Sequence, residues 1–195
     1  MMIRTLAVAA AMALSAAAHA APVFSDNFDG DAQALSSVPS GWTVTGGTVD
    51  VIPLGGSFHF LPDTNGNYID LDGSSGQAGT LSRKLTGLAP GAYMLTFELA
   101  GNHRDGGVEA TDVTISGGDD AVYFPSMNDS GVFTLYGYSS DGTLTISFHD
   151  DSHDNIGALL DNVSVSAVPV PEPGSLSLMA AGLAALGLVV RRRRG

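Results

Sequence analysis

Apolar and polar residues alternate along most of this chain with a period of two. Residues 48–52 (Thr-Val-Asp-Val-Ile), 68–72 (Tyr-Ile-Asp-Leu-Asp), 93–99 (Tyr-Met-Leu-Thr-Phe-Glu-Leu), 112–115, 132–136, 144–148 and 160–165 each place their large side chains on one side. Successive side chains of an extended chain point to opposite faces, so each segment reads as a half-buried β-strand. Turn formers punctuate them: Gly46-Gly47, Asn65-Gly66-Asn67, Asp72-Gly73-Ser74, Ala89-Pro90-Gly91, Gly117-Gly118-Asp119 and Asp141-Gly142. Between the two ends of the chain, no stretch of helical length shows a 3.6-residue period. Roughly nine short strands with frequent turns predict an all-β fold, an antiparallel β-sandwich of jelly-roll type.

The ends break this pattern. Met1-Met2-Ile3-Arg4 is a short positive start, residues 6–17 are apolar, and Ala18-His19-Ala20 gives small residues on either side of a variable one. Residues 1–20 therefore read as a secretory signal peptide, cut before Ala21. At the other end Pro171-Glu172-Pro173 precedes an uncharged stretch over 175–190, and Arg191, Arg192, Arg193 and Arg194 follow. As a helix, that stretch is roughly 24 Å long, and with snorkelling flanks or a thinned bilayer it reads as a transmembrane helix. Four arginines are costly to move through lipid, so they are expected to stay on the cytoplasmic side and stop the chain. Proline fixes φ and biases its predecessor, so residues 170–173 are expected to be extended. The chain divides into 1–20, a domain at 21–168, and a tail at 169–195.

Composition narrows the class. No cysteine is present, so an exported domain of this size relies on packing or bound ions rather than disulfides. The whole chain carries −12, but five of its eight basic residues lie in the two ends. Within 21–168, Arg83, Lys84 and Arg104 stand against nineteen carboxylates, a net charge of −16. Phosphate binding needs cations, so no nucleic-acid partner is expected. An acidic surface suits solubility, divalent cations, or both.

The tail resembles the PEP-CTERM sorting signal of Gram-negative bacteria: tripeptide, apolar stretch and terminal arginines stand in that family's order. The resemblance implies a transient partner, a membrane-embedded exosortase, with Pro171, Glu172 and Pro173 as the recognition element. It also implies passage through the inner membrane to the cell surface or extracellular matrix, a setting shared with biofilm exopolysaccharide. A second resemblance spans most of the domain. Phe24-Ser25-Asp26-Asn27-Phe28-Asp29, Gly41-Trp42, the segments at 68–73 and 91–102, and Leu159-Leu160-Asp161-Asn162-Val163-Ser164-Val165 fall in the order of galactose-binding-like jelly rolls. The series is similar to domains of plant cell-wall proteins and, more distantly, to carbohydrate-binding modules of bacterial glycanases.

That second resemblance implies a structural calcium ion where the loop of the first strand meets the last strand. Asp26, Asp29 and Asp161 are the matching positions, with Asn27 or Asp31 as additions. Calcium takes six to eight hard oxygens, which such a cluster can supply. The plainer alternative leaves Asp161 at a strand edge and Asp26 and Asp29 in a solvated turn. For glycan contact, Tyr136 and Tyr138 are the best pair, because residues two apart on a strand share a face. Trp42 is expected in the core, with an exposed sugar platform as the alternative. His149 and His153 are expected in a solvated loop, since spacing by four converges on one ion only on a helix. His59 is expected partly buried, Asp70 and Asp72 on one exposed strand face, and residues 102–105 in a loop that could touch a ligand. No nucleophile elbow, phosphate loop or metalloprotease helix is present, so no enzyme is expected. Two functions stand open: an exported structural or adhesive protein, or a module binding an extracellular polysaccharide.

Overall fold

The computed structural model describes residues 21–53, 66–104, 107–169, 181–184 and 191–192. The predicted signal peptide, Pro171, Glu172, Pro173, Arg193, Arg194 and His59 lie outside the described residues. So does most of the predicted transmembrane stretch. Residues 181–184 and 191–192 are helical and exposed. Among the described residues no helix is long and apolar enough to cross a membrane.

Residues Ala21–Val170 form one compact unit. Its described part is twelve strands: β1 (Pro22–Asp26), β2 (Ala34–Ser37), β3 (Thr43–Thr45), β4 (Val49–Ile52), β5 (Tyr68–Asp70), β6 (Thr80–Thr86), β7 (Gly91–Ala100), β8 (Thr111–Ile115), β9 (Asp120–Tyr123), β10 (Ser130–Ser139), β11 (Thr143–Asp150) and β12 (Leu159–Ala167). They build two antiparallel sheets. One runs β10-β7-β12-β5-β4-β2, with β1 also on β12; the other runs β3-β6-β11-β8-β9. Strand β12 is central: β7 takes one edge along its length, while β5 pairs with its start and β1 with its end.

The alternation seen in the sequence is the alternation of burial. On β7, Tyr93, Leu95, Phe97 and Leu99 face the core while Met94, Thr96 and Glu98 do not. On β11, Leu144, Ile146 and Phe148 point in. Burying such a side chain contributes about 1.5–3 kcal/mol, so the inter-sheet cluster supplies the main driving force for closure. Trp42 lies inside it, 6 % exposed, packed on Phe24, Phe28 and Phe148, which excludes the sugar platform. The Arg83 guanidinium on β6 sits 4.4 Å from the centre of the Phe24 ring on β1. This cation–π contact ties the two sheets at their edge.

Two polar expectations change. Asp70 and Asp72 are buried, not on an exposed face. Strand β11 continues to Asp150, so His149 is half-buried in a strand with its Nδ1 3.4 Å from Thr80 Oγ1, and only His153 is in an exposed loop. The alternation of Phe148, His149 and Asp150 continues the strand period, and the buried Asp150 side chain secures it.

Candidate functional site at the junction of the first and last strands

Strand β1 and the end of β12 pair antiparallel, with Asp26 opposite Val163 and Ser25 opposite Ser164. Just before this pairing β12 carries a bulge. Asp161 faces Glu98 on β7 and Ser164 faces Thr96, so Asn162 and Val163 together oppose one residue. Asn162 takes φ +51 there, a left-handed conformation that asparagine tolerates better than most residues. The bulge leaves an open cleft of about 410 Å³ lined by Ser25, Asp26, Asn27, Asn162, Val163 and Ser164.

Asp26 is the acid that lines this cleft, and Asp29, Glu98 and Asp161 are near enough to interact with one another or with it electrostatically. Asp26 accepts the Phe28 backbone N–H at 2.9 Å and the Trp42 indole N–H at 2.8 Å. Asp29 accepts the Asn67 backbone N–H at 2.7 Å and an Asn27 side-chain N–H at 2.6 Å. Asp161 accepts the Asn162 backbone N–H at 2.6 Å. Burial pushes the Asp161 carboxyl up to about 7, and the neighbouring charges of Glu98, Asp29 and Asp26 push the same way. Asp26 and Asp29 thus lie within electrostatic reach of Asp161, and the fold adds Glu98. That addition depends on register between β7 and β12, which no local pattern reveals. Asp31 has another role, its carboxylate accepting the Ser40 N–H at 2.8 Å.

The donors are hard oxygens, the type calcium takes. Among the described residues, however, no three acidic or histidine side chains converge closely enough to hold a metal ion. The donor chemistry is of the type calcium takes, while the described side chains do not stand at metal-binding spacing.

A second polar cluster holds loops. Arg104 Nη2 meets Asp70 Oδ2 at 2.6 Å, and Arg104 Nη1 donates to the Asn155 carbonyl at 2.7 Å. Asp70 also accepts the N–H groups of Asp72 and Gly157. Asp72 accepts those of Asp154 and Asn155. Asp150 accepts those of Ser152 and Ala158. Burial holds the Asp70 carboxyl well above the usual carboxylate range against the pull of Arg104, and raises Asp150. Asn102, expected in a ligand loop, is fully buried. It accepts the Arg104 N–H and donates to Glu109. These groups fix the loops around 101–104 and 151–158.

Tyr136 and Tyr138 share the outer face of β10, 51 % and 54 % exposed, opposite Met94 and Ala92 of β7. The turn between β8 and β9 docks on the free edge of β10. Asp119 N–H donates to the Tyr136 carbonyl at 2.8 Å, and Asp119 Oδ2 accepts the Tyr136 N–H at 2.7 Å. A side chain on Gly117 or Gly118 would collide with the Tyr138 or Tyr136 carbonyl.

Residues 169–194 match the PEP-CTERM protein-sorting motif. No curated protein sequence matches the chain. Among solved structures, the K1 cleaved adhesin domain of Lys-gingipain from Porphyromonas gingivalis is similar at 14 % identity over 75 % of this chain and 98 % of that one, with a TM-score of 0.51. TmCBM61, solved with β-1,4-galactotriose, has 19 % identity over 66 % of this chain and 90 % of that one, with a TM-score of 0.49. A family 35 carbohydrate-binding module from Clostridium thermocellum has 11 % identity, 70 % and 98 % coverage and a TM-score of 0.44. The chain is an all-β sandwich with a fold like that of the adhesin domain, and it ends in a PEP-CTERM protein-sorting motif.

Proposed function

We propose that this is an exported, non-catalytic protein. Residues 1–20 direct it across the inner membrane, an exosortase processes it at Pro171-Glu172-Pro173, and the sandwich serves a structural or adhesive role at the surface or in the exopolysaccharide matrix. The observation that carries this reading is the seam between domain and signal. The sorting motif starts at residue 169, and β12, the central strand of its sheet, ends at Ala167. The sandwich therefore runs directly into the sorting motif, with a single residue between them. Its buried aspartates support a non-catalytic role, since Asp70, Asp72 and Asp150 each accept backbone N–H groups that hold loops. Deleting Pro171, Glu172 and Pro173 should trap the protein in the inner membrane; normal surface delivery of that variant would sink the reading.

Polysaccharide binding is the second reading, supported by the half-exposed pair Tyr136 and Tyr138. Two such rings on one strand face offer flat apolar surfaces with a polar tip, on which a sugar ring can stack. We further propose calcium as the ion that joins Asp26, Asp29 and Asp161. The charges of Glu98, Asp29 and Asp26, which add to burial in raising the Asp161 carboxyl, support it, because a bound cation would relieve that repulsion.

A further inference from the structure

The two ends of the sandwich differ in charge. At one end the chain enters β1 and leaves β12: Pro22 lies opposite Ser166 and Ala167 opposite Tyr93. The Val168 N–H donates to the Ala92 carbonyl at 2.9 Å, and Ala92 lies opposite Tyr138. The β6–β7 turn (87–90), the β10–β11 turn (140–142) and the β8–β9 turn (116–119) complete this end, with the Leu88 N–H bonded to the Gly142 carbonyl. Together with residues 21–23 and 167–169, these segments carry two charged groups, Asp119 and Asp141. The described loops of the opposite end (27–33, 71–79, 101–104, 107–110, 124–129 and 151–158) carry seven carboxylates and one cation, Arg104. The charge-poor end also exposes apolar groups: Val23 at 47 %, Tyr138 at 54 %, and Ala89 and Pro90.

Chain length decides which end meets a membrane. Six residues separate Val168 from Ser175, where the apolar stretch begins, and the seven Cα–Cα steps between the two span at most roughly 25 Å. Strand β12 has nine residues and is about 30 Å long at ~3.4 Å per residue. The tether is too short to run back along the sandwich and bring the acidic end to the lipid. Resting on the reading of 175–190 as a membrane anchor, we propose that the charge-poor end is a bilayer-docking face. Tyr138 and Val23 sit at headgroup level, where amphipathic rings are favoured, and the acidic end points outward, away from anionic lipid. Removal of the tail frees Tyr138 for polysaccharide.

The absence of cysteine makes the test direct. Ser140→Cys and Asp151→Cys each give the full chain one labelling site, near the tail exit and at the acidic end. Each nitroxide-labelled chain is reconstituted into vesicles of phosphatidylethanolamine and phosphatidylglycerol and floated on a density gradient. Collision rates with oxygen and with a water-soluble nickel chelate are then read. The expected result is flotation of both chains, with the label at 140 severalfold richer in oxygen collisions relative to nickel than the label at 151. A further pair of changes, Val23→Asp with Tyr138→Asp, should move the label at 140 into water without abolishing flotation. Failure to float overturns the anchor reading and the docking face with it. Flotation with equally water-exposed labels overturns the docking face alone. Shielding at 140 that arises only with the processing enzyme present overturns lipid as the partner in favour of that protein.

Discussion

Asp161 and Glu98 face each other directly across β12 and β7, one residue before the bulge at Asn162. Burial is the larger cause that raises the Asp161 carboxyl, and the charges of Glu98, Asp29 and Asp26 push the same way, as acids in register on neighbouring strands repel when both are charged. Asp161 therefore keeps its proton to about pH 7 in the folded chain, whereas the unfolded chain releases it near its ordinary value. Between those values the native state binds the extra proton, so this contribution is fully present at low pH and is lost as pH rises through about 7. Asp161→Asn should remove it. Denaturant unfolding from pH 4 to pH 8 should show the variant gaining stability relative to the natural chain as pH rises; a constant difference would contradict this assignment.

Calcium should act on the same residues. Adding it at neutral pH should raise the melting temperature of the natural chain, and chelator should reverse the shift. Asp161→Asn should blunt the response, because it removes one anionic ligand. A melting temperature indifferent to both, with no heat of binding by calorimetry, would rule out the ion.

The sole tryptophan reports on Asp26. Trp42 donates its indole N–H to Asp26 at 2.8 Å, and the same carboxylate accepts the Phe28 N–H. Hydrogen bonds to charged groups contribute about 1.5–3 kcal/mol each. Asp26→Ala should cost about 2–4 kcal/mol, read as a lower denaturation midpoint with Trp42 fluorescence as the probe.

The turn at Gly117-Gly118 should tolerate no side chain. Gly117 has φ +72, and the turn packs against carbonyls of β10. Gly118→Ala should destabilise by about 1–3 kcal/mol and release the edge of β10, which free edges turn into self-association. Calorimetry and size-exclusion chromatography would both register it.

Polysaccharide binding, if the tyrosines carry it, should fall when they are truncated. Tyr136→Ala with Tyr138→Ala should weaken retention of the processed protein in affinity gels by tenfold or more, at unchanged melting temperature. Equal migration of both proteins in every polysaccharide tested would remove this reading.

The strands of this fold were legible where one face is core and the other is solvent, as on β7 and β11. Strand β6 escapes such a reading because Ser82, Arg83 and Lys84 stand in a row, and their shared polarity masks the period. Strand β1 is short, begins with Pro22 and ends with Asp26; its place depends on pairing with a strand more than a hundred residues later. The acids around Asp161 follow the same logic. The resemblance to galactose-binding-like domains points to Asp26, Asp29 and Asp161, but Glu98 joins them only through register. Asp70 and Asp72 read as solvated from local pattern because their partners, Arg104 and the 154–157 loop, are distant in sequence.

The tail, on the reading proposed above, is an address removed from a delivered sandwich. Intact-mass measurement of the protein recovered from the cell surface or matrix tests it most directly. The expected mass lacks residues 1–20 and ends near Pro171-Glu172-Pro173, with the arginines gone. A surface-delivered protein that still carries Arg191 to Arg194 would contradict it.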